Sequence, residues 1–499
     1  MHTKDIKRII VNQLKIKHPH WKSMTRKDKK LLAKEVMDEV VNNYDYSQTL
    51  ELPIEKLTGI EDQAPSGGIR SLSEMADYIE YFHSGNLFDL DKIKKPYPEI
   101  IDPELKFVDN LLDNQIINSL IAPDNYSAPH RDIQPYQLFR MEILKILKYP
   151  EISYRKFCTE EYLGMERKQN RRFVGLSLRK KTMVDHTELS HFKTGLHFRQ
   201  VINILVYFLH YFYKSGCLEN SVVHGVDSTE LPAEINYPLC VVKIGKQKIR
   251  IYSELECDCG KRRNKRDKSQ YVIGYRLHTL TAINPSTGHS FPLVSIVAAA
   301  NHYDGLFLTP LIKLAQALGI DMKLITADQA YHDSNASVFK ETGVYVVAPP
   351  SKKTKTPDNV VESPVRVTCH DSCQIPMTPL GITDEGHEFG CNANPGECMS
   401  EPTCPKSRTI AFDNGHFQPM PSFYKASQQA MDIRKNCERP FNLMKKREGL
   451  ETTRVRSQHG VVVRSAFTTI VTLLIEMAGT RHKQKKKPNL QKDLFEATG

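Results

Sequence analysis

The sequence predicts an α/β protein: a mixed β-sheet flanked by helices, with a helical N-terminal region before it and a cysteine-rich insertion within it. Three observations predict this. Hydrophobic residues recur at helical spacing up to about residue 220, and short β-branched runs alternate with helical stretches from 221 to 349. From 350 to about 425 both periods are lost before helix returns. With 499 residues the chain has room for roughly three domains of about 150 residues each, and it needs no disulfides to build a core.

Composition narrows the class. Hydrophobic residues make up 40% and charged residues 25%, ordinary globular usage that excludes a disordered or fibrous chain. Lys and Arg number 69 against 58 Asp and Glu, a net charge of +11 that is compatible with a polyanionic partner without demonstrating one. The 11 cysteines are odd in number and the start MHTKDIKRII is polar and basic, so an intracellular, reduced protein is expected. The longest apolar run, Val201 to Tyr213, is shorter than the roughly 20 residues that cross a bilayer, so it is expected to be a buried helix, with no membrane partner.

Taken in order, residues 1–135 read as a helical, partly flexible arm. Its helical patterns are broken by Asp62, Pro65, Gly67, Gly68, Pro96 and Pro98. Residues 136–220 read as a helical, basic region whose string Arg167 to Lys181 fits either a solvated helix face or a DNA-contacting one. From 221 strands come first and then alternate with helices, the order of a mixed sheet flanked by helices. SVVHGVDST ends at Asp227, KIGKQKIRIYSELE is a second strand, and YVIGYRLHTLTAINPSTGHSFPLVSIVAA forms two more around a Pro and Gly turn. A helix from Leu306 to Leu318 leads to the strand MKLITAD, which ends at Asp328. Asp333 can cap the helix after it, before the strand VYVVAPP. After the insertion, residues 426–448 read as one helix, and Gly460 to Met477 as an apolar helix suited to pack on the sheet. The core is therefore split between 221–349 and 426–480, around an insertion at 350–425, and a basic tail fills 481–499.

Asp227 and Asp328 stand at the carboxyl ends of their strands, where converging carboxylates repel one another unless a divalent cation neutralises them. On an uninterrupted helix, Arg434, Glu438 and Lys445 fall at about 0°, 40° and 20°, on one face. An ordinary i,i+4 ion pair would produce the same spacing. Asp304 and Glu230 fit caps or groups behind the ligands. His278 and His302 fit packing or orienting roles, since Mg²⁺ prefers oxygen, and Tyr331 is expected beside Asp328.

The strings GVDST, GYRLH (Gly274 to His278) and ADQAY, followed by Arg434, Glu438, Arg439, Phe441 and Lys445, resemble DDE transposases of bacterial insertion sequences, the insertion-sequence-four type. The resemblance runs from about Asp185 to Met477. It departs from the family at Met431, where members carry Tyr. It implies an RNase H-like core with Asp227, Asp328 and Glu438 as the catalytic, metal-holding triad. The cofactor would be Mg²⁺ or Mn²⁺, two ions about 3.5 to 4 Å apart. It also implies Arg434, Arg439 and Lys445 on DNA. The partners would be double-stranded DNA at the terminal inverted repeats and target DNA. A homodimer in the synaptic complex and a bacterial, nucleoid-associated cytoplasmic location are expected with them. Two alternatives stay open: a hydrolytic nuclease on the same core, and a domesticated, catalytically inactive DNA-binding protein.

The insertion carries Cys369, Cys373, Cys391, Cys398 and Cys404. Four of the five could hold a structural Zn²⁺, with His370 or His387 in reserve, and free thiols in an irregular segment are the other reading.

Overall fold

The computed structural model describes residues 3–43, 69–84, 100–121, 133–218, 223–235, 237–244, 247–262, 270–284, 288–333, 336–350, 360–362, 365–369, 375–394, 406–412, 417–421, 424–447, 449–450 and 457–484. Cys373, Cys398, Cys404, His370, the turn at 285–287 and the tail beyond 484 lie outside these residues.

The central sheet carries β1 (Val223–Pro232), β4 (Asp258–Arg262), β5 (Gln270–Ile283), β6 (Ser290–Ala299), β7 (Leu324–Ala327) and β8 (Tyr345–Val347). It runs in the order β4-β5-β1-β7-β8, with β6 also on β5. β1 is antiparallel to β5 and parallel to β7, and β7 is parallel to β8. The sheet is therefore mixed, as the order of elements predicts. One expected member leaves it. KIGKQKIRIYSELE does not join the sheet; its β3 (Gln247–Ile251) pairs with β2 (Cys240–Ile244) in a separate hairpin. Only one face of that hairpin is apolar, and Leu239, Ile249 and Ile251 bury it against Ile6, Ile10, Leu14, Val36 and Met37 of α1 (Thr3–Lys17) and α2 (Arg26–Asn43).

The main core joins helices from both sides of the sheet. α3 (Leu72–Ser84), α4 (Pro103–Asp109), α5 (Asn114–Ile121), α6 (Pro135–Lys148), α7 (Lys168–Val174), α8 (His186–Gly195) and α9 (Phe198–Lys214) pack with α10 (Leu308–Ala317), α11 (Ser337–Thr342) and the last helix. The described residues of the stretch that reads as one arm, 1–135, are thus divided between two cores: the first helices lie on the β2–β3 hairpin, and 72–84 and 100–121 lie in the main core. As the sequence predicts, Asp333 caps α11, accepting from Val338 N and Phe339 N at 3.2 Å each.

α12 (Lys425–Arg434) and α13 (Glu438–Asn442) precede α14 (Gln458–Gln484). Within α14, Gln458–Ala478 is long and apolar enough to cross a membrane by length and composition, and 78% of its most apolar window is buried inside the fold. Phe467 packs on Phe139 at 5.3 Å between ring centroids, and Phe139 stacks on Phe208 at 5.9 Å.

Several charges that look like surface residues in the sequence are internal. Arg171, in the Arg167 to Lys181 string, is fully buried and donates to the carbonyls of Leu163, Ser177, Lys180 and Thr182. Arg140 donates to Asp109, Asn114, Leu112 O and Phe173 O. Glu142 of α6 lies at 0% exposure and meets Arg464 of α14 at 3.2 Å, Tyr154 at 2.5 Å and Lys193 of α8 at 3.5 Å. Buried charges persist only when paired, and this cluster ties three helices that are far apart in sequence.

The described residues between 360 and 411 are more regular than their periodicity suggests. β9 (Val360–Glu362) pairs with β10 (Val365–Val367), and β11 (Met377–Ile382), β12 (Gly386–Cys391) and β13 (Ser407–Ala411) form a three-stranded sheet. The strands are short, β11 is bulged between Pro379 and Gly381, and most of its side chains face solvent, so alternation is weak in the sequence.

Candidate active site

The sequence reads Asp227 as the end of its strand, but β1 continues to Pro232 because every residue from Val223 onward pairs with β5. What ends at Asp227 is the parallel ladder. The last rung with β7 is Val226↔Ala327, so Asp227 and Asp328 are the residues that directly follow it on the two neighbouring segments. Such strands lie about 4.8 Å apart, and residues on one rung point to the same face. Two residues 101 positions apart thereby share one end of the ladder.

Glu438 arrives by a different route. Residues 425–447 form a chain of segments in place of one helix: α12, a 3₁₀ turn at Lys435–Cys437, α13, and a π-helical turn at Leu443–Arg447. Pro440 has no N–H to give the carbonyl of Asn436 four residues back, and the Ser290 hydroxyl of β6 donates to that carbonyl instead. The constant 100° step that aligns Arg434, Glu438 and Lys445 is therefore lost, and the approach of Glu438 is set by packing. Cys437, just before it, is buried against Gly225 of β1. A Cβ at Gly225 would stand 1.9 Å from the Cys437 sulfur. Gly225 and Asp227 lie on the same face of β1.

Electrostatics report the result. Burial pushes the Asp227 carboxyl up to about 6; the Ser228 N–H and Arg434 pull it down, while the charges of Asp328 and Glu438 push it up. Asp328, Glu438 and Arg434 thus all bear on Asp227. Each aspartate is also turned onto its own backbone, Asp227 accepting from Ser228 N at 2.7 Å and Asp328 from Ala330 N at 2.9 Å. Among the described residues, no three His, Cys, Asp or Glu side chains converge tightly enough to enclose a metal ion. The donor set itself, all carboxylate oxygen with one member buried against its neighbours' charge, suits a hard divalent cation.

The basic candidates separate. Arg434 keeps its Nε buried without an acceptor among the described residues, beside Asp227. Arg439 is engaged with Glu476 of α14 at 3.2 Å, a carboxylate that His289 also meets at 3.1 Å. Lys445 is half-buried on the π-helical turn. Of the cysteines, Cys369 is buried and Cys391 half-buried in a small cluster with Phe389, Ile410 and Phe417. The Nε2 of His387 is bound to the Gln418 carbonyl at 2.5 Å.

A group that sequence reasoning did not assemble stands on the reverse face of β1 and β5. Arg276 meets Asp304 at 2.5 Å and Glu230 at 3.4 Å, and His278 stacks on Phe307 with centroids 4.2 Å apart. The string GYRLH places Arg276 and His278 on one face by strand alternation, but their partners come from β1 and from the turn after β6.

No family model and no curated protein match the chain. Among solved structures, the chain is similar to a piggyBac transposase synaptic complex with hairpin DNA, at 10% sequence identity and a TM-score of 0.27, covering 79% of this chain and 84% of that one. The functional reading below rests on this chain's own residues.

Proposed function

We propose that the chain is a DDE transposase that binds the ends of its insertion sequence and carries out metal-dependent DNA cleavage and strand transfer. The observation that carries this is that Asp227 and Asp328 directly follow the last rung of one parallel ladder, with Cys437, the residue before Glu438, packed on Gly225 of the same strand. The sheet supports an RNase H-like reading: three antiparallel strands, β6, β5 and β1, continue into the parallel β7 and β8, with helices on both sides.

In this reading Asp227, Asp328 and Glu438 hold Mg²⁺ or Mn²⁺. When bound, the cations would activate a water or DNA 3′-hydroxyl and stabilise the leaving oxygen of an in-line displacement at phosphorus. The protein's own contribution is placement. β1 carries Asp227 and the turn after β7 carries Asp328 beside it, and the half-buried position of Asp227 limits the screening of its charge by bulk water. Arg434, with a donor unused inside the fold, is suited to a phosphate oxygen of the DNA end, and Lys445 and the exposed part of Arg439 extend that contact. The DNA partners are the terminal inverted repeats and target DNA, a homodimer would bring two ends together, and the setting is the bacterial cytoplasm at the nucleoid. A structural Zn²⁺ held by four of Cys369, Cys373, Cys391, Cys398 and Cys404 belongs to the same proposal.

The test uses the full chain and its flanking terminal repeats. Asp328→Asn should bind end DNA with unchanged affinity and fail to nick or join it in Mg²⁺. Undiminished cleavage removes Asp328 from the mechanism. Cleavage by the native chain without joining identifies the hydrolytic nuclease.

A further inference from the structure

Behind the paired aspartates lies a line of polar side chains with no role in the chemistry proposed above. Glu230 and Arg276 face each other directly across β1 and β5, as do Ser228 and His278, so all four share the sheet face opposite Asp227. Asp304 opens the 3₁₀ turn after β6 and receives Arg276 at 2.5 Å. Tyr331 closes the 3₁₀ turn that Asp328 begins, and its hydroxyl lies 3.0 Å from Nδ1 of His278. Ser228 lies beside both Asp304 and Tyr331, near enough for its hydroxyl to favour the ionised form of each.

Proton positions follow from what is left over. His278 is completely buried, and its Nε2 has no hydrogen-bond partner among the described residues. A proton on Nε2 would be an orphaned buried donor, so the neutral ring carries its proton on Nδ1 and donates to Tyr331. Ser228, beside both, can carry that line from Tyr331 to Asp304, whose negative charge is balanced by Arg276. The line ends on an anion, where a hydrogen bond is strongest.

We infer that Arg276, Asp304, Ser228, Tyr331 and His278 are positioning residues that lock the strand carrying Asp227 to the turn carrying Asp328, and so fix the divalent-cation site. Ser228 is the residue after Asp227, and its backbone N–H holds that carboxylate at 2.7 Å. Tyr331 lies three residues after Asp328, in a turn whose first N–H bond is to the Asp328 carboxylate. β7 is only four residues long, and its ladder with β1 stops before either aspartate, so backbone pairing does not hold Asp328 in place. The side-chain line does. The inference rests on the metal-site reading and deepens it.

The experiment measures Mn²⁺ binding calorimetrically on the purified full chain, with end-DNA affinity and thermal melting recorded alongside. Ser228→Ala and Tyr331→Phe each delete one link and few atoms, and each should weaken Mn²⁺ binding about 10-fold while DNA affinity stays constant. The double variant should lose little more than either alone, because both break the same line. Ser228→Thr, which keeps the hydroxyl, should bind Mn²⁺ like the native chain. Native Mn²⁺ affinity in Ser228→Ala and in Tyr331→Phe overturns the inference, as does a loss in Ser228→Thr equal to that in Ser228→Ala. Asp227→Asn with Asp328→Asn is the control. If that protein binds Mn²⁺ as the native chain does, the metal site itself falls and the positioning role with it; if it does not bind, the Ser228 and Tyr331 results bear on positioning alone.

Discussion

Gly225 is the point where the third carboxylate is set, and Gly225→Ala is the perturbation that reads it. A Cβ there would lie 1.9 Å from the Cys437 sulfur, 3.1 Å from Ile283 Cδ1 and 3.2 Å from Thr281 Oγ1. Ordinary contact begins near 3.4 Å, so the sulfur must retreat by about 1.5 Å. Cys437 is 1% exposed and its thiol is hydrogen-bonded to Thr281, so the retreat moves backbone, and Glu438 is the next residue. A misplacement of about 1 Å in a reacting group costs roughly 100-fold in rate, and overpacking a sheet interior costs about 1–3 kcal/mol. Gly225→Ala should therefore cleave terminal-repeat DNA about 100-fold more slowly and melt several degrees lower, with DNA affinity little changed. Cys437→Ala alone should be mild. Combined with Gly225→Ala it removes the clashing sulfur and should restore cleavage to within a few-fold of the native rate. Native-rate cleavage by Gly225→Ala, or a double variant as slow as the single one, would refute the idea that this contact places Glu438.

The remaining predictions concern charge. Because the Asp227 carboxyl is raised to about 6 in the fold from an unfolded value near 4, the folded state binds the extra proton, so metal-free stability should fall as pH rises from about 4 to 6. The loss should be on the order of 2 kcal/mol; Asp227→Asn should remove it, and chelator-treated native and variant proteins melted at pH 4 and pH 7 should diverge only at the higher pH. Neutralising Lys445 should weaken DNA binding and flatten its salt dependence by a slope of about one, whereas Arg171→Met should lower the melting temperature and leave that slope alone, since Arg171 is spent on internal carbonyls. Metal analysis of the purified full chain should find one zinc per chain; a substoichiometric result excludes the cysteine site.

The sequence by itself determined which residue types were available and where most strands and helices of the central sheet would form. Asp227 and Asp328 ended strand-like runs, Gly460 to Met477 was apolar enough to be a core helix, and Asp333 stood where a helix needed a cap. Hydrophobic period and capping chemistry are local, so they are written in consecutive letters. Three things were decided only by tertiary structure. The neighbouring positions of Asp227 and Asp328 depend on a register between strands about 100 residues apart. The approach of Glu438 depends on Cys437 filling the space above Gly225, after Pro440 and the 3₁₀ and π turns remove the helical face that spacing implied. The division of cations into internal and open, with Arg171 and Arg140 buried on carbonyls and Arg434 left with an unused donor, depends on which acceptors the fold brings near each one. A one-dimensional pattern records the charge of a side chain and its period, but its partner is chosen by packing among segments distant in the chain, and at this site the partners decide the chemistry.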